Sequence, residues 1–411
     1  MKKTFTSDLS KEVRKVLYLT SFIHREELLG IVERWLCGRP EAYDAALLTR
    51  IFICDGYVLG EILDETVGEI VEQGHGEEFR RVRIRSKGEL RNALFHLGGE
   101  RSARIEYLLG LYRQNPEYYF YQTPVSGVLC LGEGERLIAS YRIKRPKRIA
   151  EKANRHIASW IFETVQKRAR GMARGRAEKS GVPLEHMITP PEVMEREFIE
   201  AEESIAASFR QGDLRFDRAS ITINDVGGIK VIGSKEQLVG IENALRSDPR
   251  IGVGERQSFH GNYEAASVIL EVPWDPEAVC RKYRDGRAWE RFVNRGIESS
   301  ELGKGLEPML ERAQERISME LMLCTPEALV ESELGSSLHE ERMISQRDFK
   351  PYKGYIPTNV EFLLEYLFAV GFSPKAQITE VPIKLWGRYL PDTLDMFVRE
   401  LFELPEYDLF S

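Results

Sequence analysis

The stretch Tyr141–Ala153, YRIKRPKRIAEKA, decides how the rest of the chain is read. Its first residues end an alternating, strand-like run that starts near Val125, and Pro146 suits the first position of a helix. A helix starting near Pro146 places Arg148 and Lys152 on one face, with Arg142 and Lys144 reaching the same side from the preceding strand. Four cations so placed suit a polyphosphate. Far downstream, two isolated carboxylates, Asp225 and Glu320, each stand on a strand-like run, and one or two carboxylates plus substrate oxygens are what Mg²⁺ needs. Together these residues point to nucleotide chemistry.

Outward from this stretch, the chain divides by periodicity. Over the first 120 or so residues, Glu12–Phe22, Arg25–Leu36, Tyr43–Ile53 and Leu90–Leu97 carry apolar residues three and four apart, which predicts a helical N-terminal domain over 1–122. A tyrosine- and proline-rich linker, NPEYYFYQTP, precedes the strand signal. Strands are predicted at Ala219–Asn224, Ile229–Ile232, Ala265–Val272 and Ile317–Cys324. Helices are predicted at Lys147–Arg170, Pro191–Phe209, Glu236–Leu245, Pro276–Val293, Leu306–Arg316 and Pro326–Leu338. The fold class is therefore α+β, a mixed β-sheet flanked by helices. The sheet domain spans 123–344 with helical insertions near 161–214 and 275–316, and a C-terminal extension, either a small domain or a tail packed on the core, occupies 345–411.

Composition excludes several classes. With 42% hydrophobic and 30% charged residues, a chain of 411 residues can bury a substantial core, so disorder is not the default. Five cysteines, odd in number and never in a CxxC pair, argue against a disulfide framework or a zinc cluster and fit a reducing cytoplasm. No apolar run is long enough to span a bilayer, and the N-terminus lacks a secretory core. A net charge of −7 is not that of a general nucleic-acid binder, although Arg142–Lys179 is strongly basic and Glu192–Glu203 acidic. GxxxxGK[ST], GxSxG, HExxH and His-Asp are all absent.

What remains resembles the RelA/SpoT-type synthetase domain. Arg142, Lys144, Ile149 and Lys152 match its RxKxxxSIxxK, with Arg148 at the serine. Ile223, Asp225, Gly228 and Ile232 match IxDxxGxRxI, with Lys230 at the arginine. Glu320, Thr325, Glu333, Gly335 and His339 match ExQxRT…ExGxxxH without a gap, with Met322 and Cys324 at the glutamine and arginine. His260–Ser267 is similar to the GYxSxH block, keeping Tyr263 while Asn262 and Ser267 replace its glycine and histidine. The resemblance covers about Tyr141–Met343.

The resemblance implies a nucleotidyltransferase-like fold, with ATP as donor and Mg²⁺ as cofactor. The implied activity is pyrophosphate transfer to the 3′ hydroxyl of a nucleotide, releasing AMP and forming an alarmone of the stringent response. Asp225 and Glu320 would be the catalytic and metal-holding acids; Arg142, Lys144, Arg148 and Lys152 would bind the ATP phosphates; Tyr263 and His339 would bind the acceptor. Two alternatives accompany it. One is the same chemistry on the 3′ end of tRNA, with Arg168, Arg170, Arg174 and Arg176 steering the backbone. The other is a catalytically inactive nucleotide-binding or scaffold module.

Overall fold

A computed structural model of the chain describes residues 24–404 apart from 100, 214, 217–222, 261–263, 312–315, 336–353 and 402. Its centre is a seven-stranded mixed sheet in the order β1-β2-β3-β4-β7-β6-β5, where β1 is Arg80–Ser86, β2 Pro124–Leu131, β3 Leu137–Ile143, β4 Gly227–Ile232, β5 Gly252–Phe259, β6 Ala265–Pro273 and β7 Arg316–Cys324. All neighbours are antiparallel except β4 and β7 in the middle. This is the α+β sheet flanked by helices that the sequence predicts.

Side chains alternate across a strand, so the register sorts them between two faces. On one face, Ile229, Val231, Met319, Leu321, Leu323, Val268 and Leu270 join the main core. That core is closed by α1 (Arg25–Leu36), α2 (Asp44–His75) and the first half of α5 (Pro146–Ser180), whose Ile149, Ala153, Ile157, Ile161 and Val165 recur at helical spacing. At 32 residues α2 is about 48 Å long. It comes so close to the sheet that a Cβ on Gly227 would lie 2.9 Å from the tip of Leu59, which would have to move to admit it. On the other face, Leu129, Ile232 and Cys324 form a second core with α3 (Lys87–Ala93), α4 (Ala103–Gln114) and α9 (Pro326–Leu334). Among the described residues, that second core covers only one end of the face.

Several expectations change. The helical N-terminal domain expected over 1–122 contains β1 and shares the main core with the sheet, so it is not a separate all-helical body. The tyrosine-rich linker is a 3₁₀ turn, Pro116–Tyr119, whose Tyr119 and Tyr121 pack on the second core. The helix expected at Pro276–Val293 is α8 (Pro276–Asp285) followed by a 3₁₀ stretch, Ala288–Arg295. Of the helix expected at Leu306–Arg316, the described residues form one turn, Glu307–Leu310, with Leu306 and Leu310 buried, and 312–315 lie outside the described residues. α5 and α6 (Pro191–Gln211) form the hairpin expected near 161–214, with α5 running into it unbroken from Pro146. Most of the strand expected at Ala219–Asn224 lies outside the described residues. At the C-terminal side, α10 (Tyr355–Val370) packs on α5, α1 and α2, and its buried Asn359 donates to the carbonyls of Leu385 and Gly387 at 2.9 and 2.6 Å. The extension is thus a tail on the core.

No helix among the described residues is long and apolar enough to cross a membrane.

Candidate functional site

The site is built on the half-open face of the sheet, where β3, β4 and β7 run side by side. Register places Arg142, Gly228, Glu320 and Ile269 in one row across four strands, and Ser140, Lys230, Met322 and Ser267 in the next. Because β4 carries glycine in the first row, the strand has no side chain of its own beside Glu320; a Cβ at Gly228 would sit 3.8 Å from Glu320 Oε2. Ser267 donates its hydroxyl to Glu320 Oε1 at 2.9 Å and fixes the carboxylate from the other side.

Asp225 lies just before β4 rather than in it. Lys144, one residue past β3, has its amide bonded to the Val226 carbonyl at 2.8 Å, which ties the two chain segments together. The Lys144 ammonium contacts both Asp225 Oδ2, at 2.9 Å, and the Asp225 main-chain carbonyl. From the second turn of α5, Lys152 donates to the same Oδ2. Pro146 at the helix start and the extended Arg145 before it set the entry that turns Lys152 toward Asp225.

Electrostatics follow from this crowding. Burial pushes the Asp225 carboxyl up, but the Lys144 and Lys152 ammoniums outweigh it and hold the group below the usual carboxylate range. Burial lowers Lys144, Asp225 raises it, Lys152 lowers it and Glu320 raises it, with a net downward shift. The charge of Glu320 therefore reaches Lys144, and the two acids share one cationic neighbour.

The remaining predicted residues are placed unequally. Arg142 is exposed on the same face, in the row of Glu320. Arg148 pairs with Glu151 on its own helix. Tyr263 and His339 lie outside the described residues. Met322 stands on the site face between Lys230 and Ser267. Cys324, by contrast, is fully buried in the second core, and burial pushes its thiol up to about 11, so that position contributes packing.

An acid on α9 whose side chain is 10% exposed completes the picture. Glu333 lies 3.6 Å from Lys230 and 4.0 Å from Arg91. Burial raises its carboxyl, yet Lys230, Lys87, Arg142 and Arg91 together bring it below the usual range. Arg91 is held in turn by the main-chain carbonyls of Glu333, at 3.2 Å, and Tyr119. The sequence carried Glu333 and Ser267 only as motif letters, Ser267 as the replacement of a histidine; Arg91 had no signal, because it acts through contacts between segments far apart in the chain.

The donor set fits Mg²⁺ in kind. Asp225, its own carbonyl, Glu320 and the Ser267 hydroxyl are hard oxygens, and the ammoniums of Lys144 and Lys152 mark where positive charge is stabilised.

No protein-family model matches the chain, and no curated protein matches it. Among solved structures it is similar to small alarmone synthetase 1 from Bacillus subtilis, at 8% identity over 46% of this chain and 72% of that one, with a TM-score of 0.20. It is also similar to small alarmone synthetase 2 from Bacillus subtilis, at 14% identity over 42% of this chain and 71% of that one, with a TM-score of 0.19.

Proposed function

We propose that the open face of β3, β4 and β7 transfers the pyrophosphoryl group of ATP to the 3′ hydroxyl of a nucleotide, releasing AMP. The observation that carries this reading is the meeting of Lys144 and Lys152 on Asp225, next to a strand that presents Glu320 over a glycine. Phosphoryl-group chemistry asks mainly for positioning and charge neutralisation, and these residues provide both.

Lys144, Lys152 and Arg142 bind the β- and γ-phosphates and spread their charge. Glu320, held by Ser267, accepts the proton of the acceptor hydroxyl as its oxygen bonds to the β-phosphorus. The bond from that phosphorus to the oxygen bridging the α-phosphate breaks, and AMP leaves with the electron pair. Asp225 and Glu320 would hold Mg²⁺, which when bound supplies further neutralisation on the phosphate oxygens. Arg148 joins the phosphates by letting go of Glu151, a partly exposed pair on one helix that costs little to open.

The test is incubation of the full chain with Mg²⁺ and β-labelled ATP against GDP, GTP, ADP, ATP and bulk tRNA, with Glu320→Ala as control. Label reaching one acceptor in the wild type alone is the expected result. ATP that binds without any label moving would leave a nucleotide-binding module and remove the transfer reading.

One observation favours tRNA as the acceptor. Lys167, Arg168, Arg170 and Arg174 are exposed along the distal half of α5. Arg176 is not available: its guanidinium forks onto Glu197 of α6 at 2.8 and 3.1 Å and donates to Thr189 at 3.1 Å. Replacing Arg168, Arg170 and Arg174 with alanine should therefore weaken tRNA binding and flatten its salt dependence by about two to three units of log–log slope. Arg176→Ala should instead loosen the hairpin. Unchanged binding in the triple variant would leave a mononucleotide as the acceptor.

A further inference from the structure

At the other end of β4 and β7 from Asp225, the structure has a cavity of about 410 Å³ that the proposed transfer does not use. Its position is chemically informative. β4 and β7 are the parallel pair, and both of their carboxyl ends open into it through Ile232 and Thr325. Each strand is followed immediately by a helix: α7 (Lys235–Ser247) after β4 and α9 after β7. Two helix N-termini thus converge on one hollow, the geometry in which backbone amides and helix dipoles favour an anion. Ser234 caps the Gln237 amide and Thr325 caps the Ala328 amide, so the caps consume the third amide of each helix. The earlier amide of Lys235 in α7, and that of Glu327 in α9 behind Pro326, remain at the helix ends.

A second observation, independent of the helices, points to a ligand. His75, the last residue of α2, lines the cavity with a side chain only 3% exposed, and among the described residues neither ring nitrogen has a hydrogen-bond partner. The Ile232 carbonyl influences the ring without reaching hydrogen-bond geometry. Glu77 Oε1 lies 3.8 Å from Nδ1 and is already engaged by Arg136. A buried imidazole without partners is costly, and a bound acceptor removes that cost. Arg136, engaged by Glu77, and Lys235, paired with Glu264 at 2.6 Å, stand at the wall; Glu327 is a carboxylate at the rim, and Glu236 hydrogen-bonds Ser234 and its own amide at the start of α7. Gly99, with φ +95° and nothing within 4 Å of a built Cβ, leaves the mouth open.

We infer that this cavity is a second ligand site, distinct from the Lys144–Asp225–Glu320 centre, which takes the phosphate group of a small phosphate monoester between the N-termini of α7 and α9, with His75 as a hydrogen-bond donor and Lys235, exchanging its exposed partner Glu264 for the ligand, as counter-charge. The organic part rests on Leu137, Ile138 and Ile232, for which the volume leaves room. From Glu320 to Thr325 along β7 is about 16 Å, so one ligand does not fill both places. α9 starts at the cavity and carries Glu333 in its last turn, so occupancy at its N-terminus bears on the helix that holds Lys230 and Arg91. The inference stands whether or not pyrophosphate transfer is the activity.

Titration calorimetry of the full chain with inorganic phosphate and, separately, ribose 5-phosphate tests it. Wild type should bind one equivalent, ribose 5-phosphate more tightly than phosphate. Lys235→Glu, at an exposed position, and His75→Phe, which keeps the ring and loses its nitrogens, should each weaken binding by about tenfold or more. Lys152→Ala should bind as wild type does. Hydrogen exchange should slow at residues 233–237 and 325–328 when ligand is present. No binding to the wild type would overturn the site, as would loss in Lys152→Ala with retention in Lys235→Glu, which would move the anion to the other centre. Phosphate binding as tightly as ribose 5-phosphate would remove the organic subsite and overturn the monoester assignment.

Discussion

Asp225→Asn should lower turnover by about a thousandfold while the protein stays folded. The substitution keeps shape and removes one negative charge from between two ammoniums. In the wild type that carboxylate sets where Lys144 and Lys152 stand, and they in turn meet the phosphates. Without it the two lysines repel, and the site loses both its metal-holding acid and the alignment of its cations. The three side chains are about one-fifth to one-quarter exposed, so the lysines relax toward water and the cost in stability stays near 1 kcal/mol. Single-turnover assay beside a denaturant melt separates the two effects. Turnover within a fewfold of wild type would remove Asp225 from the machinery.

The largest effect on stability is expected at Glu333. Glu333→Gln leaves Lys230 and Arg91 buried against a neutral amide, with Lys87 and Arg142 nearby, and should cost about 3 kcal/mol at pH 7. The pH dependence has a definite sign. The folded-state carboxyl of Glu333 is depressed, so its contribution is fully present above the unfolded carboxylate value and is lost as pH falls through the folded one. The gap between wild type and Glu333→Gln should therefore be widest near neutrality and close below about pH 4. A gap that is constant with pH would mean that the amide's packing, and not the charge, is responsible.

How far the sequence reached is clearest at particular elements. β7 and α5 were legible because each has one dominant periodicity: RISMELMLC is apolar on both sides of a single acid, and α5 places Ile149, Ala153, Ile157, Ile161 and Val165 in one stripe behind Pro146. β1, RRVRIRS, was missed. It alternates as a strand should, but four arginines disguised it, and only Ile84 is buried because β1 is an edge. β5, GVGERQSF, is the other edge and was missed for the same reason. Of the site, Lys144, Lys152, Asp225 and Glu320 could be named from motif letters, whereas that Asp225 binds both lysines depends on a connection across 73 or more residues. Arg148 shows the opposite limit. Helical spacing put it on the right face, but the nearest acid, three residues on, took it. The cavity below β4 and β7 had no sequence signal at all, since it is made of strand ends and a histidine from a helix expected to stop at Ile53.

The main core draws on both Leu28 and Leu385, and this has a consequence for how the molecule is made. α1 and α2 leave the ribosome before the sheet does, with apolar faces whose partner α10 is made only after the whole sheet. At ordinary elongation rates roughly 20 to 70 s separate the two ends of that core. Throughout that interval, Trp35 and the stripe of α2 have no Tyr366 or Phe368 to meet, and the nascent chain presents a long greasy helix to the crowded cell. Chaperone demand should therefore fall sharply only once Tyr355–Val370 has emerged, and messages truncated just upstream of it should yield chains that are degraded rather than smaller working proteins.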